Sequence, residues 1–290
     1  MFLPLQQDPL FEPWLNFKNP LVRQLAFSIA SPNILKTYPD QFQIQQSFQL
    51  HSETLWQQFF YLYQPRLLHL DQHPQALEDF LNQLKSTRLG LRFEMLVWFW
   101  LRDSNYHPYE LLGHSIQQIA GARTLGELDF LLKNTETNQI EHWEVALKYY
   151  LAECDFSFSH WYGLNRTDTL KRKLNHFTQK QFQFNHALDQ VIQQRFVMLK
   201  GQLYVPLNTT IQQIPHWVNL QRRIGLWGYE LIPDSYTPYR LQRQEWLCQN
   251  QSQSSQTPNL WTDGLYCYQQ QTSEQNFYMY RHRPLLHYTI

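Results

Sequence analysis

Four charged residues on two neighbouring segments have the types and spacing that phosphate chemistry requires. In "GELDFLLKNTETNQIEHWEVALKYYL" (residues 126–151), two alternating runs flank a polar turn, a pattern typical of paired strands. Side chains of a strand alternate between its two faces, so Glu127 and Asp129 share one face of the first strand. Glu144 and Lys148 share one face of the second strand. We therefore expect the four to meet on one side of a sheet.

Carboxylates placed this way predict a divalent metal site. If the strands pair through the turn, Asp129 and Glu144 come close, and one must take up a proton unless a cation lies between them. Mg²⁺, or Mn²⁺, suits a site with few protein carboxylates and several waters. Lys148 could orient a water or stabilise charge that develops on a phosphate. Glu94, within the apolar face of a predicted helix, is a candidate third carboxylate.

An ordinary solvated face with cross-strand salt bridges is the alternative interpretation of these residues. The opposite faces of both strands are strongly apolar, which favours central strands, and central strands of an α/β sheet are usually covered on both faces. His142 lies on the face of Glu144. It is either a ligand or phosphate contact, or a peripheral histidine at the start of a strand.

The order of predicted elements gives an α/β fold with a mixed sheet flanked by helices. We expect an N-terminal helical region (1–84), an α/β core (85–248), and a polar linker with a C-terminal aromatic extension (249–290) that could form a hairpin. The helix of "TDTLKRKLNHFTQKQF" has Thr167 or Asp168 as its expected N-cap. The remaining core elements are a helix in "RLGLRFEMLVWFWLRD", a strand in "ELLGHSIQQI", two strands joined at Lys200–Gly201 in "RFVMLKGQLYVPL", and a last strand in "GLWGYELI".

Bulk composition excludes several classes of protein. The 24 basic and 24 acidic residues cancel, so a phosphate-binding surface must be local. Three widely spaced cysteines without a CxxC argue against a disulfide framework or a structural zinc site. The N-terminus has no signal-peptide pattern and no apolar run is long enough to span a membrane. We therefore expect a cytoplasmic protein that does not contact a membrane.

Part of the chain resembles the PD-(D/E)xK nuclease superfamily. The resemblance rests on the order of Glu94, "GELDFLL" with Asp129, "EVALK" with Glu144 and Lys148, and a polar helix. This superfamily has the fold of restriction endonucleases, Holliday-junction resolvases and RecB-type exonucleases. "GELDFLL" is similar to the "GEIDLI" strand of resolvase-like members. The chain from "VRQLAFSIASP" to "LWGYELI" also resembles a family of uncharacterised bacterial proteins.

The resemblance implies a restriction-endonuclease-like core with defined roles for the site residues. Asp129, Glu144 and the carbonyl of Val145 would bind Mg²⁺, with help from Glu94, and Lys148 would polarise the attacking water. A polar residue after the second strand, Gln181 or Gln179, would lie near the site. The usual spacing is Glu-x-Lys, which would place the lysine at Ala146, whereas this chain has it two residues later on the same face.

Nucleic acid is the implied partner, with DNA favoured over RNA. The candidate phosphate contacts lie on and just before the basic helix: Arg166, Lys171, Arg172 and Lys180. A solvated helix face explains the helical residues equally well. Two other functions remain open: a catalytically inactive module on the same fold that binds nucleic acid or a protein, and a scaffold without a site.

Overall fold

The helices of this chain begin where capping residues and prolines favour them. The computed structural model describes residues 5–121, 123–248, 262–269 and 275–283. The Asn19 side chain caps the first helix, with Pro20 at its first position, and the Ser52 side chain caps the second. Five α-helices fall within the described residues: α1 (Pro20–Ala30), α2 (Glu53–Gln72), α3 (Gln75–Leu81), α4 (Leu89–Arg102) and α5 (Leu170–Gln179).

The strands form one large mixed sheet. Their bounds are β1 (Tyr109–Ala120), β2 (Arg123–Asn134), β3 (Gln139–Ala152), β4 (Trp161–Tyr162), β5 (His186–Ala187), β6 (Gln190–Val191), β7 (Gln194–Pro206), β8 (Gly225–Gly228), β9 (Thr237–Arg240), β10 (Gly264–Gln269) and β11 (Gln275–Tyr280). Within the described residues the order is β1-β2-β3-β7-β8-β11-β10-β9, with β4 paired to the end of β3 and β5-β6 a separate hairpin. The chain is thus a mixed α/β protein, as the sequence predicts.

Short connections make β1, β2 and β3 antiparallel, whereas β3 and β7 run parallel. The intervening segment carries α5, which supplies the crossover that a parallel pair requires. The N-terminal helices cover one face of the sheet, where Trp143 of β3 and Phe130 of β2 join their core. The other face is covered by α5, whose Leu174 packs in one cluster with Ala146 and Tyr150 of β3. The central strands are therefore buried on both faces.

Two expectations about the later strands are wrong. "RFVMLKGQLYVPL" forms the single strand β7, because it stays paired with β3 on both sides of Gly201, whose φ is +125°. "GLWGYELI" contributes only the four residues of β8, and further strands follow it. The expected hairpin in the C-terminal extension is present as β10 and β11. The polar linker at 249–258 lies outside the described residues.

The N-cap of α5 also differs from the expectation. Thr169 takes that role, and its hydroxyl accepts a hydrogen bond from the backbone N–H of Arg172 at 3.1 Å. Asp168, one of the two expected caps, instead turns its carboxylate toward β3. Across the described part of the chain, no helix is long and apolar enough to cross a membrane.

Candidate functional site

The ladder between β2 and β3 opens where the two predicted carboxylates lie. The antiparallel register ends at Phe130 opposite Trp143, although β3 itself continues. Beyond this point the backbone N–H of Val145 donates to Oδ2 of Asp129 at 2.8 Å. The N–H of Asp129 points at Oε1 of Glu144, at a longer 3.4 Å. Side-chain oxygens thus replace strand partners, and the two carboxylates become neighbours at the opening.

Both carboxyl groups are held away from water. Glu144 is 1% exposed and Asp129 is partly buried. Burial raises the pKa of Glu144 to about 7, even though Gln181 and Lys173 act in the opposite direction. Burial, followed by the charge of Glu144, raises the pKa of Asp129 well above its ordinary value. A bound cation would remove this conflict, because it favours the ionised form of both groups.

Two neutral side chains hold Glu144 in place. Nε2 of His142 lies 2.7 Å from its Oε1, and Nε2 of Gln181 donates to its Oε2 at 2.5 Å. Burial lowers the pKa of His142 to about 3, so this contact is a hydrogen bond from a neutral imidazole and not an ion pair. Nδ1 of His142 is buried without a partner. This is consistent with a proton on Nε2, which donates to Glu144.

The interpretation of His142 as a peripheral residue is wrong, because its side chain is fully buried. Its burial also rules out a direct phosphate contact. Gln181 lies where the resemblance implies a polar residue, in a short 3₁₀ helix that follows α5. Gln179, the other candidate, is exposed at the end of α5. His142 and Gln181 are therefore positioning residues for Glu144.

Lys148 lies on the same face of β3 as Glu144, but it is engaged elsewhere. Its Nζ donates to Oδ2 of Asp168 at 2.6 Å, and this carboxylate also accepts a 3.4 Å hydrogen bond from the hydroxyl of Tyr150. The side chains of Lys148 and Asp168 are 27% and 38% exposed. The lysine is therefore a partner of the loop before α5.

The other two acidic candidates have partners of their own. Glu94 of α4 accepts a 2.8 Å hydrogen bond from Nε2 of His114, whose ring stacks on Trp98 at 4.1 Å. Its charge nevertheless acts on Asp129 and contributes to that raised pKa. Glu127 accepts a hydrogen bond from the hydroxyl of Ser115 on β1. Glu94 thus belongs to the surroundings of the pair, while Glu127 belongs to the β1-β2 hairpin.

The basic residues of α5 border an open cleft beside the site. Lys171, Arg172 and Lys180 line it, together with Asp168. Arg166 is not among the lining residues, because its guanidinium bonds Glu153 at 2.7 Å and covers the ring of Tyr162 at 4.1 Å. Three of the four predicted phosphate contacts therefore share one surface. Arg166 is excluded from it by its own partners.

The structure adds one residue that the sequence interpretation did not select. Lys173 lies on the inward side of α5, and its ammonium covers the ring of Phe177 at 4.0 Å. The charges that act on it include those of Glu144 and Asp129. Helical spacing was the available signal: Lys173 is three residues after Leu170 and four before Phe177, within the buried stripe.

The donor set suits Mg²⁺ or Mn²⁺ better than Zn²⁺. Among the described residues, no group of three or more His, Cys, Asp and Glu side chains is arranged to hold a metal ion. Two carboxylates remain, those of Asp129 and Glu144. The carbonyl of Val145 projects to the same side as its N–H, toward the opening. Mg²⁺ is usually bound by a few protein oxygens, and several waters complete its coordination sphere.

Comparison with known proteins identifies a family and no closer relative. No curated protein and no solved structure matches the chain significantly. Residues 23–283 match the family described as "Domain of unknown function (DUF1853)", which is nine-tenths of the chain. This range contains β2, β3, α5 and every site residue described above. The protein therefore belongs to the DUF1853 family.

Proposed function

We propose that this chain is a metal-dependent phosphodiesterase of the PD-(D/E)xK type that acts on nucleic acid. The observation that carries the proposal is the opened β2-β3 pair, which holds the carboxyl groups of Asp129 and Glu144 together in a buried position. Support also comes from the order along the chain of α4, then β1, β2 and β3, then α5, which is the order that the resemblance leads us to expect. Two buried carboxylates that repel each other destabilise the fold. The presence of Asp129 and Glu144 together therefore favours a role in binding over a role in stability.

The residues of the site would have different roles in such a reaction. Bound Mg²⁺ or Mn²⁺ would polarise a phosphate oxygen and a water. Asp129, Glu144 and the Val145 carbonyl would hold the ion, while His142 and Gln181 fix the orientation of Glu144. Hydrolysis joins the water oxygen to phosphorus and breaks the bond from phosphorus to one sugar oxygen. That sugar oxygen takes up a proton as it leaves.

The cleft beside α5 supports a path for the nucleic-acid backbone. Lys171, Arg172 and Lys180 give it positive charge although the chain as a whole is neutral. Phosphate contacts of this kind position a substrate without reading its sequence. All the side chains that line the cleft are polar or charged, which fits an extended polyanion better than a small apolar ligand.

Metal affinity should depend on pH, because ligands must be deprotonated to bind. Below the Glu144 pKa of about 7, an incoming cation must displace a proton. We therefore expect the Mn²⁺ affinity to rise by up to about tenfold per pH unit below pH 7 and to level off above it. Calorimetric titrations at pH 5.5, 6.5 and 7.5 measure this slope. An affinity that is constant across this range contradicts a site built on the pair.

Cleavage is tested with Mg²⁺ or Mn²⁺ on supercoiled plasmid, circular single-stranded DNA, a branched duplex and structured RNA. We expect at least one substrate to be cut by the wild type and not by Asp129→Asn or Glu144→Gln, with activity lost in chelator. Lys171→Met is the control for the metal site, because this exposed side chain should affect substrate binding alone. Cleavage that survives either carboxylate substitution at the wild-type rate rejects the assigned site.

A catalytically inactive nucleic-acid-binding module is the second candidate. It is favoured by Ala146 at the position of the usual motif lysine and by the ion pair that occupies Lys148. This alternative predicts salt-dependent binding of DNA or RNA, weakened by substitution of Lys171 or Arg172, without turnover under any metal condition. Metal-dependent turnover that requires Glu144 eliminates it.

A further inference from the structure

A lysine lies in the apolar stripe of α5, the helix that packs against Ala146 on the Glu144 face of β3. The buried residues of this helix include Leu170, Leu174 and Phe177, and Lys173 lies within the same stripe. A lysine is rarely placed on a buried helix face unless its ammonium has a partner. Here the ammonium covers the ring of Phe177 at 4.0 Å.

The charges around Lys173 come from the candidate metal site and its neighbours. Burial lowers the pKa of Lys173. The charges of Glu144, Asp129 and Asp168 act in the opposite direction, and the charge of Lys148 adds to the lowering. In the part of the chain that the structure describes, no salt bridge engages Lys173. Lys173 thus interacts electrostatically with both carboxylates, without an ion pair to either of them.

The end of α5 and the residues just after it are hydrogen-bonded to two other parts of the chain. The hydroxyl of Thr178 accepts hydrogen bonds from the backbone N–H groups of Gln45 and Gln46, at 2.8 and 2.7 Å. Just beyond the helix, Gln181 reaches Glu144 itself. Helix, loop and strand are therefore tied together around the carboxylate pair. Lys173 is held on a rigid element, as a precise functional site requires.

Lys173 also borders the open cleft, together with Lys171 and Arg172. It differs from those two in being partly buried, whereas they are exposed. A phosphate that enters the cleft would meet the exposed cations first and then the partly buried Lys173. Lys148 offers no comparable contact, since its ammonium already bonds Asp168 at 2.6 Å.

We propose that Lys173 of α5, and not Lys148 of β3, is the catalytic lysine that contacts the scissile phosphate and the attacking water. The inference rests on the proposed function and names the cation of that same site. Lys173 stays charged in this role and transfers no proton: it stabilises the negative charge that develops on the phosphate oxygens. Lys148 holds Asp168 and, through it, the loop before α5.

The first test uses metal binding, which needs no substrate. Replacing Lys173 by methionine removes a positive charge beside Asp129 and Glu144 while leaving an apolar side chain of similar length in an apolar stripe. We expect Lys173→Met to bind Mn²⁺ about tenfold more tightly than the wild type in calorimetry. Lys148→Met and the exposed control Lys171→Met should stay within about twofold of it. Thermal unfolding reports whether each variant is folded.

The second test uses the substrate that the wild type cuts. Lys173→Met should lower kcat by on the order of 100-fold with little change in KM, and Lys173→Arg should recover part of the loss. Lys148→Met should lower kcat less than about tenfold. A larger loss from Lys148→Met, or a Mn²⁺ affinity unchanged in Lys173→Met, overturns the assignment. Wild-type protein that binds no Mn²⁺ rejects the proposed function itself, which is a different outcome.

Discussion

Replacing Glu144 by glutamine should abolish Mn²⁺ binding and lower phosphodiester hydrolysis by on the order of 1,000-fold, since a metal contributes several kcal/mol to such a reaction. The shape of the side chain is kept. His142 can still donate to its amide oxygen, and Gln181 can accept from the new amino group by a flip of its own amide. A loss of Mn²⁺ binding and hydrolysis in this variant would therefore result from the missing negative charge and not from a change in the structure of the site.

The same variant should be more stable than the wild type at alkaline pH. The folded-state pKa of Glu144, about 7, lies above its unfolded value near 4.3. Its stabilising contribution is thus complete below about pH 4.3 and is lost as the pH rises through 7. Glutamine does not titrate, so Glu144→Gln should gain roughly 3 kcal/mol over the wild type at pH 8 and little at pH 4.5.

Urea unfolding at the two pH values, without metal and with excess Mn²⁺, measures this difference. Glu141→Gln is the matched control on β3, because Glu141 is buried on the other side of the strand and bonds Trp143 and Asn134. That variant should keep the Mn²⁺ affinity of the wild type. If Glu144→Gln is less stable than the wild type at pH 8, the carboxylate is a structural group and the metal interpretation fails.

Replacing Gly201 by alanine should destabilise the fold by roughly 4 kcal/mol or more. Gly201 pairs with Lys148 across the parallel β3-β7 ladder and has a φ of +125°. A Cβ atom there would lie 1.9 Å from the carbonyl oxygen of Lys148, a backbone atom that cannot move aside alone. Relief of this clash requires the two central strands to separate beside the candidate site.

Gly90→Ala is the control for this substitution. Gly90 is exposed in the first turn of α4, and an added Cβ meets nothing within 4 Å. Alanine there should be neutral or stabilising by up to about 1 kcal/mol. Urea unfolding of both variants at pH 7 compares them directly. A Gly201→Ala protein as stable as Gly90→Ala contradicts the close approach of β3 and β7.

Local pattern predicted the elements that carry the site. Alternation along two segments put Asp129 and Glu144 on one face of adjacent strands, and the structure brings these side chains together. Helix α4 and the N-terminal helices also follow from periodicity, but the buried face of α4 is formed by residues such as Phe93, Leu96, Val97 and Trp100, and not by the face that carries Glu94. Periods of 2 and 3.6 residues are local properties, so a single sequence contains them.

Long-range pairing was not predictable in the same way. The glycine of "LKGQ" was interpreted as a turn because Gly usually interrupts a strand, yet the parallel partner β3 keeps β7 continuous. Arg166 is close to the basic helix in sequence, which predicts a shared surface. In the structure, its guanidinium forms an ion pair with Glu153 instead. Lys173 was visible in principle within its apolar stripe, but its significance depends on α5 lying over β3, which no local pattern encodes.

The central claim is that Asp129 and Glu144 form a metal site. Calorimetric titration of Mn²⁺ at pH 7.5 into the wild type and into Asp129→Asn/Glu144→Gln tests it most directly, because it requires no knowledge of the substrate. We predict a single saturable site in the wild type and no specific binding in the double variant, which should remain folded and melt at a higher temperature. Equal binding in the two proteins, or none in the wild type, contradicts the account.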